Sequence, residues 1–127
     1  MENIKFDKTN KNLINMDKLE SLFFIQNELQ KIMKNPPFGS QQYINAMSLA
    51  LCEEVFEALR ETNHKPWKTN FGQPLNNSQI EKFREELVDV WHFLINLTLA
   101  SGMSAQELYD RFIIKNQINH ERQVNGY

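Results

Sequence analysis

The chain has 127 residues, a length that suits one domain and is too short for two ordinary ones. Hydrophobic residues make up 41% and charged residues 24%, which excludes extensive disorder, and only four glycines and four prolines argue against an all-β fold. Fourteen basic against sixteen acidic residues argue against a dedicated nucleic-acid binder, and the single cysteine excludes an internal disulfide and suits the reducing cytoplasm.

Residues 1–15 are polar and lack the apolar stretch of an export signal, so we interpret them as an N-terminal arm. We expect residues 16–127 to form one helical domain. Helix one begins at Asp17, whose spacing from Glu20 is that of a capping box. It ends near Asn35, because a residue that precedes proline disfavours the α conformation.

The middle of the chain predicts two long helices separated by an irregular connection. Ser40 is a suitable N-cap for helix two, whose apolar positions recur at helical spacing. The connection, residues 62–77, contains prolines, several asparagines and Gly72. Ser78 and Glu81 have the spacing of a second capping box, which predicts that Ser78 begins helix three.

The last part of the chain predicts a buried helix followed by a polar one. Residues 87–100 are apolar on nearly all sides, but they are too few and too interrupted by polar residues to span a membrane. Gly102 ends helix three, and Ser104 begins helix four, which continues towards Gln123. The sequence therefore predicts an all-α fold, a four-to-five-helix antiparallel bundle in which a homodimer or a dimer of dimers covers helix three.

Two pairs of acidic residues interrupt the apolar patterns of helices two and three. Glu54 and Glu57 lie one turn apart, as do Glu86 and Asp89. Acidic runs on helices are usually solvated, but two such pairs in apolar surroundings need a compensating cation, either a basic side chain or a metal ion. An all-carboxylate set favours magnesium or manganese over iron or zinc. Because magnesium commonly completes its shell with water and phosphates, we expect a phosphorylated small molecule as substrate.

Candidate phosphate-binding side chains follow later in the chain. Lys115, Asn119 and Arg122 have spacings of four and three, which place them on one face of helix four. A basic stripe near a helix C-terminus can instead complement the helix dipole. In the connection, Trp67 lies between Lys65 and Lys68, and it either anchors the loop in the core or forms a wall of a base pocket beside phosphate-binding lysines.

Three polar residues fall among apolar positions, namely Gln26 of helix one and His92 and Asn96 of helix three. A buried amide needs hydrogen-bond partners, so each amide either recognises the edge of a pyrimidine or satisfies a neighbouring group. The surroundings of His92 favour a position in the core over a catalytic role. The sequence contains neither a glycine-rich phosphate loop nor a nucleophile elbow.

Five segments together resemble one known family. Residues 22–26, 53–57, 65–67, 86–93 and 115–127 carry the resemblance, which covers nearly all of the chain beyond residue 19. With Glu-x-x-Glu followed by Glu-x-x-Asp, a Lys-x-Trp loop and a final Lys-x-x-x-Asn-x-x-Arg-Gln, the chain resembles the dimeric dUTPases. They form a branch of the MazG-like superfamily of all-α nucleotide pyrophosphatases.

The resemblance implies magnesium-dependent hydrolysis of dUTP to dUMP and pyrophosphate by attack of water on the α-phosphate, with dUDP as a further substrate. Glu54, Glu57, Glu86 and Asp89 would hold two or three metal ions, and manganese would be an acceptable substitute. Glu53, next to this set, would orient the attacking water.

The same resemblance assigns the contacts to the nucleotide. Lys65, Lys115 and Arg122 would bind phosphates, and Asn119 would bind the nucleotide. The uracil pocket would be formed by Gln26, Trp67 and Asn96. Two alternatives stand beside this interpretation. One is a superfamily member with another substrate, such as dCTP, a modified nucleotide or nucleoside triphosphates in general, and the other is a non-enzymatic helical interaction protein whose acidic cluster pairs with helix-four cations.

Overall fold

A computed structural model describes residues 15–126, and within this range the chain forms four α-helices and no strand. The helices are α1 (Lys18–Ile32), α2 (Gln41–Arg60), α3 (Asn77–Ala100) and α4 (Ala105–Asn125). The predicted all-α fold is confirmed. The predicted N-terminal arm falls almost entirely on residues 1–14, outside the described range.

Side-chain caps begin three of the helices where the sequence predicts them. Asp17, Ser40 and Ser104 each accept a hydrogen bond from the backbone N–H three residues further on, at 2.8, 3.1 and 3.1 Å. Each cap satisfies an amide that the first turn of its helix leaves without a partner. At the C-terminal end of α3, Gly102 adopts a φ of +81°, a left-handed conformation that ends the helix as predicted.

The predicted start of helix three is wrong by two residues. The N-cap is Asn76, whose Oδ1 accepts from the Gln79 N–H at 2.9 Å, while Gln79 Oε1 accepts from the Asn76 N–H at 3.0 Å. This reciprocal pair is a capping box made by two amides instead of Ser78 and Glu81. Asparagine caps a helix as well as serine does, so the sequence contained two competing start signals two residues apart.

Helices α2 and α3 form the most extensively packed pair, and they run antiparallel. Met47 contacts Asn96 near one end of the pair, and Asn63 contacts Gln79 just beyond the other. Helix α1 packs on α3 and, over a shorter stretch, on α4. Phe23, Ile95 and Ala105 from these three helices form a small buried cluster, so the core lies between α1, α3 and the start of α4.

The described residues of one chain leave part of α3 uncovered, and the burial of this helix by a partner chain stays a prediction. Val88 is 54% exposed and Trp91 is 58% exposed, although both lie in the apolar stretch. Every described residue of α4 from Tyr109 onward is also exposed, including several large apolar ones. Among the described residues, no helix is both long enough and apolar enough to cross a membrane.

Candidate functional site

Three of the four predicted metal ligands converge between α2 and α3. Carboxylate oxygens of Glu54, Glu57 and Glu86 all lie within 4.8 Å of one another. The first two lie one turn apart on α2, and the antiparallel packing of α3 places Glu86 beside them. The spacing of the acidic residues therefore predicted a cluster that the fold builds.

The cluster carries more negative charge than its surroundings compensate. Burial, as the largest cause, and the nearby carboxylates of Glu57, Asp89 and Glu86 together raise the pKa of Glu54 to about 7. Burial and the neighbouring Glu57 also raise the pKa of Glu86. The Glu54 Oε2 atom is buried and has no hydrogen-bond partner among the described residues. A cation bound here would relieve both the repulsion and the unpartnered oxygen.

The fourth predicted ligand, Asp89, lies at the edge of the cluster. Its side chain is 52% exposed and acts electrostatically on Glu54 and Glu86, but it is not one of the three converging carboxylates. Its Oδ1 lies 3.7 Å from Nδ1 of His92, whose side chain is 47% exposed. The predicted core position of His92 is therefore wrong, because this face of α3 is open in the single chain.

The donor set fits magnesium or manganese. Both are hard cations that take carboxylate oxygens, and the cluster offers such oxygens from two helices that are fixed by tight packing. Glu53 precedes Glu54 on α2 and is exposed, outside the group of three. Its position beside the cluster is compatible with the water-orienting role that the resemblance implies.

An apolar cavity of about 480 Å³ lies between α1 and α3. Leu22, Val88 and Trp91 contribute much of its lining, and Gln26 and His92 contribute polar groups. Nδ1 of His92 lies 3.7 Å from Oδ1 of Asp89 at the edge of the acidic cluster, but none of the three converging carboxylates lines this cavity. Sequence reasoning did not single out Trp91 as a lining residue. Trp91 lies in a run of apolar residues that face several directions, so the pattern does not indicate which of them line a cavity.

The two amides of the predicted uracil pocket contact each other. Gln26 Nε2 donates to Asn96 Oδ1 at 2.7 Å, and Asn96 Nδ2 donates to Met47 Sδ at 3.4 Å. Both amides are buried, at 4% and 2% exposure. Of the two roles left open by the sequence, mutual satisfaction inside the protein is the one observed. Gln26 still lines the cavity. Asn96 is not a lining residue, and it holds the Gln26 amide in place through their hydrogen bond.

The connection between α2 and α3 places its basic residues around a second, polar cavity of about 360 Å³. Lys65 lines this cavity together with Arg60, His64 and Lys68. Trp67 is 76% exposed, so it does not anchor the loop in the core, and it does not line the apolar cavity with Gln26. Sequence reasoning selected Lys65 and Lys68 but missed Arg60 and His64, which share their cavity.

The predicted cationic face of α4 lies on the exposed part of that helix. Lys115, Asn119 and Arg122 all follow Tyr109, beyond which every described residue is exposed. None of the charges that shift the pKa of Glu54 comes from α4, which packs on α1 instead. The single chain therefore brings Glu54, Glu57 and Glu86 together without bringing these three residues to them.

Comparisons with known proteins point in the same direction as the acidic cluster. A dCTP pyrophosphatase of Enterobacteria phage T4 is 48% identical over 42 residues, which cover 33% of this chain and 25% of that protein. A dCTP pyrophosphatase of Enterobacteria phage LZ5 is 36% identical over 70 residues, which cover 50% of this chain and 41% of that protein. The chain thus spans less than half the length of these curated relatives.

No solved structure matches the chain significantly. The profile of a protein family described as dUTPase matches residues 18–104, a range that begins with α1 and ends at the cap of α4. This range contains the three converging carboxylates and both cavities. Because the profile covers more than half of the chain, the protein belongs to the all-α dUTPase family.

Proposed function

We propose that the chain is a metal-dependent nucleoside triphosphate pyrophosphohydrolase that converts dUTP to dUMP and pyrophosphate, and also accepts dUDP. The observation that carries this proposal is the convergence of Glu54, Glu57 and Glu86 between α2 and α3. Membership of the dUTPase family and similarity to two dCTP pyrophosphatases support the class of reaction.

The carboxylates supply the cation site in this proposal. Glu54, Glu57, Glu86 and Asp89 would hold two or three magnesium ions, or manganese in their place. A bound divalent ion supplies charge neutralisation for the phosphate oxygens and lowers the pKa of a coordinated water. The unpartnered Glu54 oxygen and the raised pKa values of Glu54 and Glu86 support the need for a cation at this place.

The remaining residues act on water and phosphates. Glu53 orients a water molecule towards the α-phosphorus, where a new P–O bond forms as the bond to the bridging oxygen breaks. Pyrophosphate leaves with the electron pair of that bond. Lys65, Lys115 and Arg122 bind phosphates, and the last two stabilise the departing pyrophosphate electrostatically. Asn119 binds the nucleotide.

The apolar cavity is the proposed base site. Its lining suits the face of a pyrimidine ring, and Gln26 offers an amide at its wall. Asn96 holds that amide, whereas Trp67 of the connection does not line this cavity among the described residues. Asp89 and His92, one turn apart on α3, lie between the carboxylates and the cavity lining, so a nucleotide bound at both places would pass along this edge of α3.

A second candidate substrate is dCTP, because both curated relatives are named dCTP pyrophosphatases. A carboxamide carries both donors and an acceptor, so Gln26 can pair with either pyrimidine. Measuring pyrophosphate release from the deoxynucleoside triphosphates with magnesium separates the two. We expect dUTP to be preferred by about tenfold or more in kcat/KM. A preference for dCTP would change the assigned substrate from dUTP to dCTP. Absence of turnover on every nucleotide would overturn the proposed activity.

We further propose that the chain acts as a homodimer, or as a dimer of dimers, in the cytoplasm. Large apolar side chains stay open on three helices, among them Leu22, Trp91 and Ile114 at 47%, 58% and 59% exposure. Contiguous exposed apolar surface of this kind is typical of an interaction site. The free and exposed Cys52 suits a reducing compartment.

Thermal unfolding distinguishes this enzyme from a helical interaction protein. A ligand that binds only the folded state stabilises it, by about 2.7 kcal/mol at a hundred times its dissociation constant. We therefore expect magnesium to raise the melting temperature of the wild-type chain by several degrees and to leave a Glu54→Gln variant nearly unchanged. Equal melting temperatures with and without magnesium would favour the interaction protein.

A further inference from the structure

We propose that the polar cavity at the end of α2 binds the terminal phosphates of the nucleotide, and that Arg60 and Lys68 are further binding residues. The identity of the ligand rests on the proposed function. The resemblance implies a phosphate contact for Lys65 only, whereas the structure surrounds the same cavity with two more cations and with His64. The cavity has a volume of about 360 Å³, enough for a small anion with its water.

The lining of this cavity is positively charged. Arg60, Lys65 and Lys68 contribute three cations, and none of the described acidic side chains is among the lining residues. The acidic groups closest in sequence, Glu57 and Glu61, are not part of the lining either. Cations gathered around one cavity repel one another, and an anion with several acceptor oxygens relieves that repulsion.

A network of amides gives the cavity its shape. Asn63 Nδ2 donates to the Gln73 carbonyl oxygen at 2.9 Å, and its backbone carbonyl accepts from the Gly72 N–H at 3.0 Å. Asn63 Oδ1 accepts from Asn70 Nδ2 at 3.1 Å and from Gln79 Nε2 at 2.9 Å. These bonds close the connection between residues 63 and 73 and tie it to α3. The segment with Lys65 and Lys68 is therefore held as a defined loop.

The cavity lies next to the carboxylate cluster. Arg60 follows Glu57 by three residues on α2, which corresponds to about 4.5 Å along the helix axis and to nearly the same face. Gln79, which also lines the cavity, precedes Glu86 by seven residues, or two turns of α3. A phosphate chain that begins at the carboxylates can therefore extend along the α2–α3 seam and place its far end among the cations.

Lys68 is the residue that tests this proposal most sharply. A basic residue in the last turn of a helix is favoured by the helix dipole, which gives Arg60 a second reason for its place. Lys68 lies eight residues beyond α2, where the dipole has no such effect. Its presence at the same cavity is what an anion site requires.

The experiment is a calorimetric titration of inorganic tripolyphosphate into the full chain in EDTA, which removes divalent cations from the comparison. We expect binding by the wild type, loss of at least about fivefold in affinity for Lys68→Gln, and a larger loss for the Arg60→Gln Lys68→Gln double variant. Lys68→Arg should restore the affinity. The matched control is Lys82→Gln, which removes an exposed lysine of α3 outside the cavity and should leave the affinity unchanged.

The outcomes separate this inference from the proposed function. If Lys68→Gln and the double variant bind tripolyphosphate as the wild type does, the phosphate site is overturned, whatever the chain hydrolyses. If both variants lose binding while Lys82→Gln does not, the site stands, even when no nucleotide is hydrolysed. With active protein, the same Lys68→Gln change should raise the KM for the nucleotide more than it lowers kcat. Circular dichroism of each variant checks that the helices are retained.

Discussion

The α2–α3 pair and α4 differ in how many of their candidate site residues the described chain brings together. The α2–α3 pair is packed along its length, and it positions Glu54, Glu57 and Glu86 and the loop with Lys65. Helix α4 is exposed beyond Tyr109 and holds its predicted phosphate ligands away from the carboxylates. Acidic groups are thus placed by packing of neighbouring helices, whereas the described residues do not bring the predicted phosphate ligands of α4 to the carboxylates.

This difference assigns different properties to the two regions. Changes to the carboxylates between α2 and α3 should alter cation binding and chemistry without altering assembly. Changes on the open face of α4 should alter assembly first. The contact between Gln26 of α1 and Asn96 of α3 should affect both stability and base binding.

The largest effect is expected at Glu57. Glu57→Gln removes one of the three converging oxygens while keeping the size of the side chain. Hydrolysis should fall by about a thousandfold, the size of effect seen when a group that stabilises transition-state charge is lost. Pyrophosphate release is the measurement, and Glu85→Gln, an exposed position on α3, is the control that should keep activity. Retained turnover in Glu57→Gln would remove this residue from the mechanism.

The next effect concerns the open face of α4. Ile114 is 59% exposed, and burying such a side chain is worth roughly 1.5–3 kcal/mol. Ile114→Asp should therefore weaken a dimer by about 10- to 100-fold, which light scattering after size exclusion would show as a shift to monomer. Gln117→Asp introduces the same charge at a polar position of the helix and should leave the dimer intact. A wild-type chain that is monomeric at high concentration would contradict the proposed assembly.

Two buried glutamines of α1 provide a matched pair. Gln26→Leu leaves the Asn96 Oδ1 atom without its donor and should cost about 1–3 kcal/mol of stability, as well as raising the KM. Gln30 is also buried, but neither its Nε2 nor its Oε1 has a partner among the described residues. Gln30→Leu should therefore leave stability unchanged or increase it. Urea unfolding checks both, and equal losses would contradict the role given to the Gln26–Asn96 contact.

The smallest effect is a pH dependence of the metal-free chain. Burial and neighbouring carboxylates raise the pKa of Glu54 to about 7 from an ordinary value of 4.5. Between these values the folded state holds a proton that the unfolded state has lost, so the free energy of unfolding falls as the pH rises through that window. Above pH 7 this contribution stays constant.

Urea unfolding in EDTA at pH 5 and pH 7.5 tests this dependence. The wild type should lose more stability between the two values than Glu54→Gln does, because glutamine does not titrate. Glu85→Gln should behave as the wild type. Identical pH dependence in the wild type and Glu54→Gln would mean that the carboxyl group titrates normally in the folded chain.

Much of the fold was predictable because its signals are local. Asp17, Ser40 and Ser104 cap their helices through residues three positions away, so a short stretch of sequence contains all the information. The start of α3 was misplaced because Asn76 and Ser78 are both good caps, and only the observed hydrogen bonds decide between them. Spacing also predicted the carboxylate cluster, since each pair lies one turn apart on a helix.

The rest of the site depends on which surfaces meet, and local patterns do not determine that. His92 lies in an apolar run, yet its side chain is half exposed because the residues that the structure describes leave its face of α3 uncovered. The cavity around Arg60 and Lys68 depends on hydrogen bonds from Asn63 to residues up to sixteen positions away. Such contacts follow from the path of an irregular connection, for which sequence periodicity carries no signal.

Direct titration of Mn²⁺, followed by the electron paramagnetic resonance signal of the free ion, tests the central claim that α2 and α3 build a divalent-cation site. We expect the wild-type chain to remove at least one equivalent of Mn²⁺ from solution. Glu85→Gln should do the same, whereas a Glu54→Gln Glu86→Gln double variant with unchanged helical content should leave the ion free. No binding by the wild type, or equal binding by the double variant, would contradict the claim.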